Sequence, residues 1–349
     1  VPIWRHYVTR EADLIEEIAR FYGYDKIPAT VPRVRKVDTV FAPKEVATRR
    51  LRRYLVSLGL TELMSLTFSS QEEIGRAALG VDHSEIVKLQ NPLSETSETM
   101  RVSLVPNLLN AASLNVRRGI SLIRAFELGH VYLAQAGQRQ PREVERLGLV
   151  LSGLREEPHW SRPKEPVDIY DLKGLLESIF NMLEADCTWE TGPSSGFDPI
   201  FSGIVRVGGK TVARYGKIAK LVCSAFDLEK ELFVAEIDLE DVLTFHVEPP
   251  VFQAPSAFPP ALRDIAVLVG SEVHGQAILD TAQKAWGKLL KTVELFDLYT
   301  GKPIPAGKKS VALGLAFQSN EKTLTDKDTQ KAWDNILKAL EQDFGATLR

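Results

Sequence analysis

The chain has 349 residues, 44% of them hydrophobic, which predicts two or three globular domains with a core in each. Its 43 Lys and Arg and 46 Asp and Glu give a formal net charge of −3. This balance excludes a protein that coats nucleic acid through a basic field over its whole surface, so any RNA contact must be local. The two cysteines, Cys187 and Cys223, do not make a zinc cluster or a disulfide framework, which fits a reducing cytoplasm, and no apolar run predicts a membrane span.

The first predicted element is a short amphipathic helix within residues 9–28, TREADLIEEIARFYGYDKIP. Its acidic side carries Asp13, Glu16 and Glu17, and its apolar side carries Leu14, Ile15, Ile18 and Tyr22. Like charges at this spacing repel by about 0.2–0.5 kcal/mol per pair, so the cluster favours a nearby cation or arginine. One interpretation is a Mg²⁺ site or a subunit contact. The other is an ordinary acidic first turn behind a Thr9 N-cap.

The next segments predict a linker followed by a new domain. Residues 31–43, VPRVRKVDTVFAP, combine prolines with basic residues, so we expect residues 1–35 to be the C-terminal part of a truncated domain plus a linker. Apolar residues at helical spacing predict a helix over 44–58, and LMSLTF predicts a strand over 63–68. The outer face of that helix fits either a solvated or subunit-contacting surface or an RNA patch, and it carries Arg49, Arg50, Arg52 and Arg53.

The remainder of residues 36–248 predicts one α+β domain. NPLSETSETMRVSLVPNLLNAASLNVRRG predicts a loop that leads into a long helix, and antiparallel strands follow at IRAFELGHVY and RLGLVLSGL, with Gly129 and Gly148 as turn residues. VDIYDLKGLLESIFNML predicts a further amphipathic helix, and strands follow near 201–207, 211–217 and 232–238. Because strands and helices do not alternate strictly, the pattern favours an antiparallel sheet.

Residues 255–349 predict a domain with the element order βαββαβ, the ferredoxin-like motif. In SVALGLAF the bulky residues alternate with small ones, Val311, Leu313, Leu315 and Phe317 against Ser310, Ala312, Gly314 and Ala316. One face of this strand is therefore predicted to be core and the other open. Small side chains on an open face allow a flat ligand or another backbone to approach, which fits an RNA platform and also a sheet-to-sheet dimer.

Three lysines and two aromatic residues are the candidate RNA contacts of this domain. Lys302, Lys308 and Lys309 lie in the loop GKPIPAGKK beside the open face, where they fit phosphate contacts or a solvated turn. Stacking on bases would need Phe296 or Tyr299 on that face. The two residues are an odd number of positions apart, so a regular strand cannot direct both to the same face, and the sequence leaves the choice open.

Seven segments along the whole chain share the pattern of one known family: DLIEEIARFYGYDKIPAT, NPLSETSETMRVSLVPNLL, FELGHVY, DLKGLLE, PALRDIAVLV, VELFDLYTGKPIPAGKKSVALGLAFQ and TLTDKD. Together they closely resemble the β subunit of bacterial phenylalanyl-tRNA synthetase. The resemblance covers only the C-terminal part of that family's chain, so we expect the family's N-terminal tRNA-binding and editing domains to lie outside this sequence.

The resemblance implies three regions and a division of labour. It implies the tail of a Mg²⁺-site domain with ligands Asp13, Glu16 and Glu17, then a degenerate class II aminoacyl-tRNA synthetase-like core, then a ferredoxin-fold anticodon-binding domain. It also implies an α2β2 heterotetramer whose α subunit binds ATP and phenylalanine and performs the chemistry, so we assign no catalytic residue here. This chain would dock the α subunit and contact the anticodon region of the tRNA for phenylalanine. The alternative is a noncatalytic regulatory module whose ferredoxin-like domain senses an amino acid.

Individual residues support the noncatalytic interpretation and weaken the metal site. An active class II core holds ATP with a Gly-rich strand that ends in arginine, and GKIAKLV at 216–222 has no such arginine. Met100-Arg101 with Phe126-Glu127 fits a remnant of the other ATP motif. Relatives usually carry a fourth acidic ligand where this chain has Tyr7, a poor Mg²⁺ ligand, so we expect a weak or incomplete site. FDPIFSG at 197–203 also departs from the family's usual turn.

Overall fold

A computed structural model of the chain describes residues 1–31, 41–243, 252, 254–286 and 289–349. These residues fall into two compact units, unit 1 (Val1–Glu248) and unit 2 (Pro249–Arg349). The boundaries predicted at residues 35/36 and 248, and most of the predicted linker 31–43, lie outside the described residues. Every helix among the described residues is too short or too polar to span a membrane.

Unit 1 is built on a large, almost wholly antiparallel sheet. Its strands are β1 (Thr61–Glu62), β2 (Phe68–Ser69), β3 (Thr99–Met100), β4 (Ile123–Leu133), β5 (Arg142–Ser152), β6 (Cys187–Thr191), β7 (Phe197–Val207), β8 (Lys210–Ile218) and β9 (Leu232–Asp238). β2 pairs with β3, and the others form one sheet in the order β1-β4-β5-β9-β8-β7-β6. Only the β1–β4 pairing is parallel among the described strands of that sheet, so the predicted α+β arrangement is confirmed.

Helices cover both faces of this sheet. The helices of unit 1 are α1 (Glu11–Tyr22), α2 (Pro43–Ser57), α3 (Gln71–Ala77), α4 (Val105–Arg117), α5 (Ile169–Met182), α6 (Lys220–Ala225) and α7 (Leu239–Leu243). Because side chains alternate along a strand, Phe126 of β4 belongs to a core shared with α2 and α5, whereas its neighbour Ala125 belongs to a core shared with α4 and α6. The two apolar cores fix the sheet between the two helix layers.

Three local predictions in unit 1 are wrong. Residues 63–67 are not in a strand, because the Ser65 N–H and Oγ donate to the Glu127 carboxylate at 3.3 and 2.8 Å rather than to a strand backbone. Gly129 and Gly148 lie inside β4 and β5 rather than in turns. A Cβ on Gly148 would come within 2.8 Å of Leu108 Cδ1, so close packing against α4 explains this glycine.

Unit 2 has the predicted βαββαβ order. Its elements are β10 (Ala261–Gly270), α8 (Gly275–Trp286), β11 (Leu290–Tyr299), β12 (Lys308–Phe317), α9 (Asp326–Phe344) and β13 (Thr347–Leu348). The strands form an antiparallel sheet in the order β11-β12-β10-β13. The predicted core face of β12 is confirmed, since its four bulky residues are at most 1% exposed and join a core with Ile278 of α8 and Ile336 of α9.

Candidate nucleic-acid interface

The opposite face of β12 is the predicted platform. Ala312, Gly314 and Ala316 are half-buried there. Their small side chains leave the backbone of the central strand accessible to a flat ligand. Ser310 differs from the prediction, because it is only 3% exposed.

A β-bulge in the edge strand β11 decides which aromatic residues reach this face. Leu295 pairs with Leu313, which is a core residue, and Asp297 pairs with Ala312, which lies on the open face. Phe296 is therefore an extra residue, with no partner of its own in the described pairing of β11 with β12. Such a bulge shifts the alternation of every residue that follows it.

As a result, Phe296 and Tyr299 both lie on the open face. A Cβ built on Gly314 would lie 3.6 Å from Cδ1 of Phe296, and Tyr299 pairs with Ser310 across the strands. Phe296 is 60% and Tyr299 40% exposed. The sequence left open which of the two aromatic residues lies on the open face, and the structure places both of them there.

A hydrogen bond and a cation hold the Tyr299 ring in place. Its hydroxyl donates to the carbonyl of Lys302 at 2.7 Å. The guanidinium carbon of Arg349 lies 5.6 Å from the ring centroid, and Arg349 Nη1 donates to Ser310 Oγ at 3.3 Å. Sequence reasoning missed Arg349, although the predicted final strand already placed that residue beside the sheet.

The open face also carries carboxylates. Asp264 and Glu294 both pair with Gly314 across the strands, and Asp297 pairs with Ala312, so all three lie on this face. Carboxylates repel phosphate but accept hydrogen bonds from the amino groups of bases. The middle of the face therefore suits bases, and cations at its rim suit phosphates.

The three predicted lysines divide into two kinds. Lys302 and Lys308 are exposed, and within the described parts of the chain neither ammonium group has a hydrogen-bond or ion-pair partner. Lys309 is half-buried, and its Nζ donates to the carbonyl of Ser271 at 3.0 Å. The prediction that all three lie in a loop is wrong, because Lys308 and Lys309 are the first two residues of β12. Lys302 and Lys308 are available to phosphate, whereas Lys309 holds the start of β12 to Ser271.

The predicted Mg²⁺ ligands on α1 have other partners. Asp13 Oδ2 accepts the N–H groups of Thr9 and Arg10 at 2.8 and 2.7 Å, and these bonds hold the pKa of Asp13 below its usual value. The N-cap is therefore Arg10 rather than the predicted Thr9, and Asp13 completes the cap. Glu16 is exposed.

Glu17, the third predicted ligand, is bound by two arginines. Its Oε2 lies 2.8 Å from Arg5 Nη2 and 2.6 Å from Arg20 Nη2, and these cations lower the pKa of Glu17. Tyr7 accepts a hydrogen bond from Arg5 Nε at 2.8 Å. No group of three His, Cys, Asp or Glu side chains within the described residues is placed to hold a metal ion. The donor set as placed does not fit Mg²⁺, so the structure gives the metal prediction no support.

In the segment interpreted as an ATP-motif remnant, the arginine is buried in an ion pair. Arg101 Nη1 donates to Glu127 at 2.6 Å and Arg101 Nε donates to the carbonyl of His130 at 2.8 Å. Both side chains of the Arg101–Glu127 pair are 3% exposed. A guanidinium buried with these partners is not available to a phosphate of ATP.

Three family models match successive parts of the chain. Residues 256–349 match the ferredoxin-fold anticodon binding domain, so unit 2 is a domain of that class. Residues 27–239 match the CLM domain of the phenylalanyl-tRNA synthetase beta chain, and residues 1–24 match the tRNA synthetase B5 domain. The chain belongs to the phenylalanyl-tRNA synthetase beta chain family.

Individual relatives show how much of that family's chain is represented. The chain is 36% identical to the phenylalanine–tRNA ligase beta subunit of Geobacillus kaustophilus, with 100% of this chain and 43% of the relative covered. It is 34% identical to that of Bacillus subtilis, with the same coverage. The chain thus spans less than half of these relatives. A solved pyrrolysyl-tRNA synthetase from Desulfitobacterium hafniense aligns with a TM-score of 0.44 at 18% identity, over 57% of this chain and 68% of that one.

Proposed function

We propose that this chain is the part of a phenylalanine–tRNA ligase β subunit that contacts the anticodon region of the tRNA for phenylalanine. The observation that supports this best is the bulge in β11, which brings Phe296 and Tyr299 together on one open sheet face. Exposed aromatic rings on such a face stack on bases of single-stranded RNA. Lys302, Lys308 and Arg349 supply cations at its rim.

The family match favours RNA over a free amino acid as the ligand of unit 2. Its matched model is an anticodon-binding domain, and its open face offers two rings rather than a closed pocket. Anticodon loops present unstacked bases, which a flat face can accept.

We further propose that unit 1 is a degenerate class II synthetase-like core that docks a catalytic α subunit. In this proposal the complex is an α2β2 heterotetramer of the cytoplasm, and its α subunit binds ATP and phenylalanine. Burial of Arg101 against Glu127 supports a noncatalytic role for this core. Mg²⁺ at the α1 carboxylates would be weakly held at most. Three regions, 1–35, 36–248 and 255–349, would then perform separate tasks.

Binding to the anticodon stem-loop of the tRNA for phenylalanine tests the proposal. Fluorescence anisotropy with the labelled stem-loop should show that Phe296→Ala and Tyr299→Ala each weaken binding by about 1–3 kcal/mol, because each removes one stacking surface. By affinity arithmetic this is a rise of about 5- to 150-fold in Kd.

Leu298→Ala is the matched control. Leu298 lies on the same strand and is 54% exposed, but it pairs with Val311 on the core-facing side of the sheet. Its substitution should leave the Kd unchanged. If both aromatic variants bind like the parent, or if Leu298→Ala weakens binding as much, the open face is not the RNA site.

A further inference from the structure

A cleft in unit 1 has no role in the function proposed so far. It encloses about 280 Å³ where β5, β8 and β9 meet the N-terminal end of α4. Its apolar lining includes Leu79, Val105, Leu133 and Phe197. Clefts that hold drug-sized ligands measure about 300–1,000 Å³, so this one suits a smaller molecule.

One ion pair at the cleft is satisfied by the protein itself. Arg146 Nη1 lies 2.9 Å from Glu236 Oε2. The other oxygen, Oε1, accepts the Ser103 hydroxyl at 2.9 Å and the Leu104 N–H at 2.7 Å. These bonds hold Glu236 against the start of α4, so it has little capacity left for a ligand.

Two further charged groups of the lining are available. Arg214, which is exposed, has no hydrogen-bond or ion-pair partner in the part of the chain that the structure describes. Asp238 accepts the N–H groups of Glu240 and Asp241 at 3.2 and 3.4 Å through Oδ1, and its Oδ2 has no hydrogen bond to any described residue. Burial raises the pKa of Asp238, although the charges of Arg146, its cross-strand partner on β5, and of Arg142 act in the opposite direction.

The sheet places these two groups within reach of one small molecule. Arg214 pairs with Glu236 across β8 and β9, and Asp238 follows Glu236 by two positions on the same face. Diagonal neighbours of this kind have Cα atoms about 7–8 Å apart. A cation, an anion and apolar side chains thus line the same cleft.

We propose that this cleft binds a free α-amino acid with an apolar side chain. The carboxylate of the ligand would pair with Arg214, its ammonium with Asp238, and its side chain would contact the apolar lining at the start of α4, where Val105 lies. A peptide residue lacks one or both of these charges, so the free amino acid is the form that the cleft recognises.

Isothermal titration calorimetry on the whole 349-residue chain tests this, with L-leucine and L-phenylalanine as probes. We expect saturable binding of at least one amino acid. 3-Phenylpropionate, which lacks the ammonium group, and phenethylamine, which lacks the carboxylate, should each bind at least about tenfold more weakly, since a charge-assisted hydrogen bond contributes about 1.5–3 kcal/mol.

Arg214→Gln should weaken amino acid binding at least about tenfold and leave the fold intact, because Arg214 makes no ion pair with any described residue. Arg206→Gln is the control, since Arg206 pairs with Glu190 and does not line the cleft. Asp238→Asn should also weaken binding, and a thermal melt distinguishes this effect from unfolding at α7.

Three results would overturn the assignment. They are the lack of saturable binding of either amino acid by the parent, unchanged affinity in Arg214→Gln, and 3-phenylpropionate binding as tight as that of L-phenylalanine. Arg214 and Asp238 both belong to unit 1, so their variants test the cleft independently of the RNA proposal for unit 2.

Discussion

Glu17 illustrates how a carboxylate that suggests a metal ligand can be neutralised by the protein. Two arginines contact its Oε2, one from the same helix and one, Arg5, from the segment before it. The repulsion expected from three carboxylates on one helix is thereby reduced without a metal. The sequence predicted that a cation or arginine was needed, but the position of Arg5 depends on the path of the chain before α1, which residue spacing alone does not determine.

Titration of Mg²⁺ should therefore show weak binding. We expect no saturation in the submillimolar range by calorimetry, because Asp13 Oδ2 and Glu17 Oε2 already accept hydrogen bonds and Tyr7 offers only a neutral hydroxyl. The control is the double variant Asp13→Asn, Glu16→Gln. Submillimolar Mg²⁺ binding by the parent that disappears in this variant would show that these carboxylates do form a metal site.

The Arg101–Glu127 pair should be essential to the stability of unit 1. Arg101→Met leaves Glu127 buried without its cation, and breaking a buried pair in this way costs about 3–5 kcal/mol. Urea denaturation measures the change. Arg206→Gln, which breaks a partly exposed pair, should cost less than about 1 kcal/mol. Equal, small effects of the two substitutions would show that Arg101 is not a structural residue.

At the scale of elements, the alternation of side chains between the two faces of a strand was predictable, and the β-bulge that interrupts it in β11 was not. The two faces of β12 follow from period-two spacing, and the core confirms its bulky face. The bulge at Phe296 was not predictable, since VELFDLY has no glycine or proline to mark it. One extra residue was enough to place Phe296 and Tyr299 on the same face, so the site depends on a local irregularity of the backbone.

Lys302, in the loop before β12, and Lys308, the first residue of β12, should bind phosphates. Lys302→Ala with Lys308→Ala should weaken binding of the anticodon stem-loop and lower the slope of log K against log salt by up to about 0.9 for each phosphate that is no longer neutralised. Lys309→Ala should change the slope less and lower thermal stability, because Lys309 donates to Ser271. An unchanged slope in the double variant would show that Lys302 and Lys308 do not contact phosphate.

At the scale of the whole chain, the order and type of the long elements were predictable because their apolar periods are strong. The βαββαβ order of unit 2 and the antiparallel sheet of unit 1 are examples. The conformation of short segments such as 63–68 was not predictable. Ser65 donates hydrogen bonds to Glu127, which is distant in sequence, and these bonds outweigh the local strand propensity. The cleft at Arg214 and Asp238 also requires the fold, since its charges come from strands that adjoin only in the sheet.

The chain alone should not activate phenylalanine. The one arginine in the ATP-motif remnant is buried in an ion pair, and residues 216–222 provide no second arginine for the phosphates. Without an arginine at the triphosphate, these two segments do not stabilise the charge that develops as the adenylate forms. We therefore expect no phenylalanine-dependent exchange between pyrophosphate and ATP by the purified chain. Exchange that co-elutes with the chain in size-exclusion chromatography and is altered by Arg101→Met would contradict this expectation and assign the chemistry to unit 1.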